Sequence, residues 1–198
     1  MNGILTIAGR PGSGKSTASQ NIASQLHLPH FSSGDYMRKL GAERGLNILE
    51  TNHKAEEDDE LDQKVDQKLR ELGLLGVSRV IDSRMAWHWI PDSLKVYLDL
   101  DLLTAAIRII KDASEERKAK EHIPDDPEEY AEQLRLRHES EARRYMHKYG
   151  VNPYDTKNYD MVVDTHEHDI EQTTGLIVAR YLLPASEVII ASELPVNS

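Results

Sequence analysis

Apolar residues in this chain fall in short blocks separated by longer stretches where they recur every three or four positions. Ile4-Leu5-Thr6-Ile7-Ala8 is mainly apolar and bounded by Gly3 and Gly9, the pattern of a strand buried on both faces. A helix is predicted from about Lys15, with Ala18, Ile22, Ala23 and Leu26 on one face. His30-Phe31-Ser32 is a short strand candidate, and Gly34 opens a charged segment poor in strand formers that runs through Leu72 and predicts two or three helices. Strand patterns resume at Arg79 to Asp82 and at Leu94 to Leu100, with Ile90-Pro91-Asp92 as the turn between them. Thr104 to Lys111 starts another helix, and Asp112 to Pro127 is polar. Glu128 to Tyr149 reads as a long helix with Tyr130, Leu134, Ala142, Tyr145, Met146 and Tyr149 mostly on one side. Asp160 to Asp164 gives a last strand and Ile170 to Leu183 a closing helix.

Strands alternating with helices at this spacing predict right-handed βαβ units, hence an α/β fold with about five parallel strands flanked by helices. At 198 residues the chain has the length of one domain, so residues 1–198 are read as a single unit with two mobile flaps, at about 34–72 and 112–127. After Pro184 the segment Val188-Ile189-Ile190-Ala191 is either an extra edge strand or a loosely packed end.

Composition narrows the partners. With 34 acidic against 24 basic residues the net charge is −10, the wrong sign for coating nucleic acid. No apolar run reaches the roughly 20 residues of a membrane span, and the N-terminus enters a strand without an export signal. These features point to a cytoplasmic protein, monomeric or weakly dimeric, acting on small molecules. There is no cysteine, which rules out disulfides and a cysteine-bound zinc.

Gly9-Arg10-Pro11-Gly12-Ser13-Gly14-Lys15-Ser16 fits G-x-x-x-x-G-K-[ST] and lies between a predicted strand and a predicted helix, the context that this phosphate-binding loop requires. Its glycines let backbone N–H groups turn inward, and the following helix aims its positive end at the same place. The expected ligand is the triphosphate of ATP along Gly9 to Thr17, with Lys15 reaching the β- and γ-oxygens and the Ser16 hydroxyl on Mg²⁺. Asp82, closing the third strand, is either a second support for that Mg²⁺ or a helix cap.

Arginines mark a second phosphate. Arg38 follows Ser33, Gly34 and Asp35, Arg84 follows Asp82, and Arg137 and Arg144 share one helical face with Glu141 between them. Guanidinium groups from separate segments suit an acceptor phosphate gripped by paired hydrogen bonds, while an exposed salt-bridged helix is the other reading of the last three. A monophosphate is ionised at neutral pH and needs no base, whereas a hydroxyl acceptor does. The residue nearest the loop that suits such a base is Asp35.

The segments Gly9 to Thr17, Ser32-Ser33-Gly34-Asp35-Tyr36-Met37-Arg38, Ile81-Asp82-Ser83-Arg84, Arg137 to Tyr145 and Tyr159 to Thr165 together resemble cytidylate kinases of the short archaeal type, in order and spacing. The resemblance runs to about residue 183. It implies a P-loop nucleoside monophosphate kinase with a monophosphate-binding flap and a lid, transferring phosphate from ATP to CMP or dCMP. By position, Arg38, Arg84 and Arg144 would bind the acceptor phosphate, Ser33 and Asp35 would lie beside the nucleoside, and Arg137 and Glu141 would line the closed site. Three features depart from the family pattern: Ser83 stands in place of a glycine, Asp112 falls at a basic lid position, and Met85 to Trp89 is unusually aromatic. Charge for the lid is then left to Arg108, Arg117, Lys118 or Lys120. The alternatives are a kinase for AMP, UMP, dephospho-coenzyme A or a hydroxyl acceptor, and a nucleotide-binding regulator without turnover.

Overall fold

All six residues of β1 (Ile4–Gly9) are buried, as befits the middle strand of a sheet covered on both faces. The structure, a computed structural model, describes residues 3–46 and 60–183. Around β1 lie β2 (His30–Ser32), β3 (Arg79–Asp82), β4 (Leu94–Asp99) and β5 (Met161–Asp164), in the order β2-β3-β1-β4-β5. Every pairing is parallel, so each crossover carries helix: α1 (Lys15–Gln25), α2 (Ser33–Glu43), α3 (Glu60–Leu74), α4 (Ala86–Trp89), α5 (Leu102–Asp112), α6 (Glu115–Glu121), α7 (Pro127–Tyr149) and α8 (Ile170–Leu182).

Alternation along the strands divides the core. Leu5, Ile7, Val80, Val96, Leu98 and Val163 face α1 and α8, meeting Ile22, Ile177 and Tyr181. Ile4 and Ile81 face the other way, against Leu40 of α2 and Leu61, Val65, Leu69 and Leu72 of α3. Each buried Val, Leu or Ile contributes up to about 1.5–3 kcal/mol, so three leucines and one valine on α3 seat that helix firmly. A third cluster joins Leu100 to Ala105, Ala106 and Ile109 of α5 and to Tyr130 and Leu134 of α7. The fourth, Ala8, Trp87, Tyr97 and Tyr154, lies under the C-terminal strand ends.

The predicted elements appear with ends moved by one or two residues, and the expected fold class holds. Within 112–127 the polar stretch resolves into α6 and the start of α7. There the Asp126 carboxylate accepts from the Glu128 and Glu129 amides at 2.8 and 2.9 Å, and Pro127, which has no N–H to leave unpaired, opens the helix. Of the apolar positions assigned to one side of α7, Met146 is exposed. The aromatic segment after Arg84 is core: Trp87 is buried and donates its Nε1 to the Arg84 carbonyl at 2.8 Å. The acidic run 56–59 and the apolar tail after Pro184 lie outside the described residues. Among the described residues no helix is long and apolar enough to cross a membrane.

Candidate active site

The chain leaves β1 for β2 and β3 on one side and for β4 and β5 on the other, so β1 marks the switch in strand order where parallel sheets open a crevice. The loop from Gly9 to Lys15 occupies that crevice. Gly12 and Gly14 both have φ of 75°, a conformation that glycine adopts without strain. A Cβ on Gly9 would come within 2.6 Å of the Leu98 carbonyl oxygen, and one on Gly12 within 3.1 Å of the Ala105 backbone. The loop is thus packed so tightly against β4 and α5 that only glycine fits. Gly14 caps α1 with no side-chain hydrogen bond, leaving the first-turn amides of the helix unmet by any capping side chain. The Ser13 hydroxyl is buried without a hydrogen-bond partner among the described residues. Arg10 turns toward the end of β4, donating Nη1 to the Leu100 carbonyl at 3.1 Å with Nε 3.4 Å from Asp99. It lines a cavity of about 330 Å³ with Asp99, Leu100, Asp101, Asp164 and His166. Pro11 lies in the turn between them, and Thr17 is exposed on the first turn of α1.

Asp82, 2% exposed, is not a helix cap. Its Oδ1 takes a short ion pair from Lys15 Nζ and its Oδ2 accepts from the Ser16 hydroxyl at 2.8 Å. Strand register brings Ser32 beside Asp82, so the start of α2, with Ser33 and Asp35, opens next to this pair. Ser83 folds back at the turn, accepting from the Met85 amide at 3.3 Å. A serine therefore fits where a glycine was the expected residue.

Beyond the loop, Glu141 of α7 gathers charge. Arg84 Nη1 is 3.4 Å from its Oε2, Arg137 Nε donates to Oε1 at 3.1 Å, and the Tyr154 hydroxyl donates to Oε2. Burial by itself would raise the Glu141 pKa, but Arg84 and then Arg137 outweigh it and hold the carboxyl near pKa 2, against an ordinary 4.5. For Arg84, burial opposes the charge and Glu141 more than restores it, so the guanidinium titrates above its usual range. His138, whose ring meets that of Tyr154 at a tilt of 40°, has its pKa lowered, first by burial and then by the charge of Arg10.

Arg144, on the same helix, lies 3.6 Å from Asp62 Oδ2 of α3. Arg38 pairs with Asp35 one turn away on exposed α2. The cations of α6 are engaged locally: Arg117 with Glu121, Lys118 with Asp125, Lys120 with Glu116. Arg108 instead crosses to the loop after β5, donating Nη2 to the Thr165 carbonyl at 2.8 Å. His166 lies 3.3 Å from the Thr104 hydroxyl, and no cluster of three metal-binding side chains occurs among the described residues. Reading the sequence alone missed Tyr154, Asp62 and Asp66. Nothing local distinguishes them, because their partners are remote in the chain.

The family described as AAA domain matches residues 8–145. A cytidylate kinase of Haloquadratum walsbyi is 39% identical over 82% of this chain and 80% of its own length. One from Methanothrix thermoacetophila is 35% identical, over 89% of this chain and 96% of its own. Among solved structures, the shikimate kinase of Bacteroides thetaiotaomicron superposes with a TM-score of 0.60 at 13% identity, covering 91% of this chain and 98% of that one, a likeness of fold. A glycine loop closed by packing, a lysine and serine on one buried carboxylate and relatives matched over most of their length agree, and the chain belongs to the cytidylate kinase family of P-loop kinases.

Proposed function

We propose that the protein transfers the γ-phosphoryl group of ATP to CMP or dCMP. The observation that carries this is the pairing of a glycine-closed phosphate loop with a second cationic centre, Arg84 and Arg137 on Glu141, which suits two phosphate groups brought end to end. The loop amides and the first turn of α1 bind the donor phosphates, and the unpartnered Ser13 hydroxyl is a further donor toward them. Lys15 leaves Asp82 to neutralise the β- and γ-oxygens. Ser16 and Asp82 form an all-oxygen donor set of the kind that Mg²⁺ prefers. Ser16 and Asp82 would hold Mg²⁺ there, directly or through water, and the ion would supply charge to offset that of the triphosphate.

On the acceptor side Arg38, Arg84 and Arg144 grip the monophosphate, while Ser33 and Asp35 lie by the nucleoside. Arg137 adds charge where the two phosphates meet. Glu141 acts as the fixed anion that holds Arg84 and Arg137 ready rather than as a ligand of the substrate. The acceptor oxygen is already anionic, so no base is required. Catalysis then rests on alignment and on charge aimed at the transition state. Asp35 suits a hydroxyl acceptor poorly because Arg38 neutralises it. The segments near 34–72 and 112–127 serve as acceptor flap and lid within one domain. The net charge of −10 suits free nucleotides in the cytoplasm rather than a nucleic-acid partner.

Phosphorus NMR of protein, ATP, Mg²⁺ and CMP tests this directly. New CDP signals growing in step with ADP are expected. ADP and inorganic phosphate without CDP would contradict it.

A further inference from the structure

Helix α3 buries Leu61, Val65, Leu69 and Leu72 against the sheet. On the adjoining face two carboxylates stand one turn apart, Asp62 at 8% and Asp66 at 7% exposure. Like charges at this spacing repel, and burying them is costly unless donors meet them. The donors come mainly from the last turns of α7. Lys148 Nζ is 3.1 Å and Arg144 Nη1 3.6 Å from the same oxygen, Oδ2 of Asp62. Asp66 accepts instead from the Tyr149 hydroxyl at 2.7 Å and from Trp89 Nε1 at 2.9 Å. The two carboxylates thus do different work. Asp66 ties together two uncharged aromatic side chains, whereas Asp62 holds a guanidinium assigned above to the acceptor phosphate.

We infer that Asp62 is a positioning residue for the acceptor, helping to orient the Arg144 guanidinium from helix α3 toward the incoming monophosphate. The inference rests on the acceptor-clamp reading of Arg144. A guanidinium presents its N–H donors as a rigid planar fork, so a contact at one edge fixes the direction of the whole group. The side chain is only 26% exposed, and α3 is seated by its apolar face, so the anchor is itself rigid. Loss of that contact removes one restraint on the arginine, and the phosphate must supply more of its ordering at the moment of binding. Lys148 shares the carboxylate and balances its charge.

The test is steady-state kinetics of the full chain, with KM measured separately for CMP and ATP in Asp62→Asn, Arg144→Ala, the double variant and Asp66→Asn. Asp62→Asn is expected to raise the CMP KM about tenfold, the ATP KM staying within about twofold, and to add nothing once Arg144 is alanine. Asp66→Asn lowers the melting temperature without moving the CMP KM. A CMP KM unchanged in Asp62→Asn but raised in Arg144→Ala overturns the inference alone, as does an equal effect of Asp62→Asn in both backgrounds. An unchanged CMP KM in Arg144→Ala overturns the clamp and this inference with it. Should Asp62→Asn not fold, Asp62→Glu keeps the charge one methylene further out. A selective rise of about threefold in the CMP KM is then expected, and no rise overturns the inference.

Discussion

Arg84, at the end of β3, and Glu141, in the middle of α7, meet at 3.4 Å, and this contact ties the mouth of the sheet to the long helix α7. The carboxylate is 8% exposed and holds two guanidinium groups, so its removal leaves the half-buried Arg84 and the exposed Arg137 without their shared partner.

Glu141→Gln is therefore expected to reduce kcat/KM for CMP by about 10- to 100-fold, since a misplaced charge in a preorganised site costs that much. Its pH signature follows from linkage. The folded pKa is about 2 and the ordinary value 4.5. A depressed carboxyl contributes stability that is full above the unfolded value and disappears as pH falls through the folded one. Denaturant titrations from pH 6 to pH 2 should show the wild type losing on the order of a few kcal/mol from this group. The loss falls between about 4.5 and 2, and the glutamine variant should show a shallower slope in that window. Equal slopes would remove Glu141 from its place as the buried hub.

Lys15→Ala takes away the charge proposed above to act on the transferring phosphoryl group and strips Asp82 of its ion-pair partner. Turnover should fall by about a thousandfold or more. Because Asp82 keeps the Ser16 hydrogen bond, the variant should still fold, and circular dichroism alongside single-turnover kinetics separates the two effects.

The parts that were legible in the sequence are those whose chemistry is local. The loop from Gly9 to Ser16 needs only neighbouring residues to make its cradle, and the strand blocks are short apolar runs ended by Gly, Pro or acid. The long helix was legible as a helix, but its sides were less so. The buried positions Tyr130, Leu134, Glu141 and Tyr145 follow one stripe at four- and seven-residue spacing, with a carboxylate among them, and Met146, one residue beyond Tyr145, falls outside it. Glu141 was read as flanked by Arg137 and Arg144 on one helical face. In the structure the partner joining Arg137 there is Arg84, from across the sheet, and Arg144 reaches Asp62 on α3. Such pairings depend on which elements the topology lays together, and spacing within one helix carries no trace of them. Tyr154 was missed for the same reason, its hydroxyl being committed to Glu141 from an irregular segment.

Gly12→Ala places a methyl group 3.1 Å from the Ala105 backbone at a φ of +75°. Strain from both sources should destabilise the protein by about 1–3 kcal/mol, and the loop shift that relieves it should weaken ATP binding more than CMP binding. Isothermal titration with each nucleotide checks the asymmetry. Equal weakening of both would mean that the loop is not the donor site.

Trp87→Phe keeps an aromatic ring in the cluster with Tyr97 and Tyr154 but removes the Nε1 donor to the Arg84 carbonyl. Losing that hydrogen bond and some packing should cost about 1–2 kcal/mol of stability. The same change loosens the backbone that presents Arg84. A rise in the CMP KM at constant ATP KM is expected, and thermal unfolding with paired KM values measures both.

The most direct test of the central claim is ADP release by the purified protein with ATP and Mg²⁺, comparing CMP, dCMP, UMP, AMP, GMP and dTMP with an acceptor-free control. Stimulation by CMP or dCMP well above every other nucleotide is the predicted result. A different monophosphate as the preferred acceptor, or no stimulation by any of them, would contradict it.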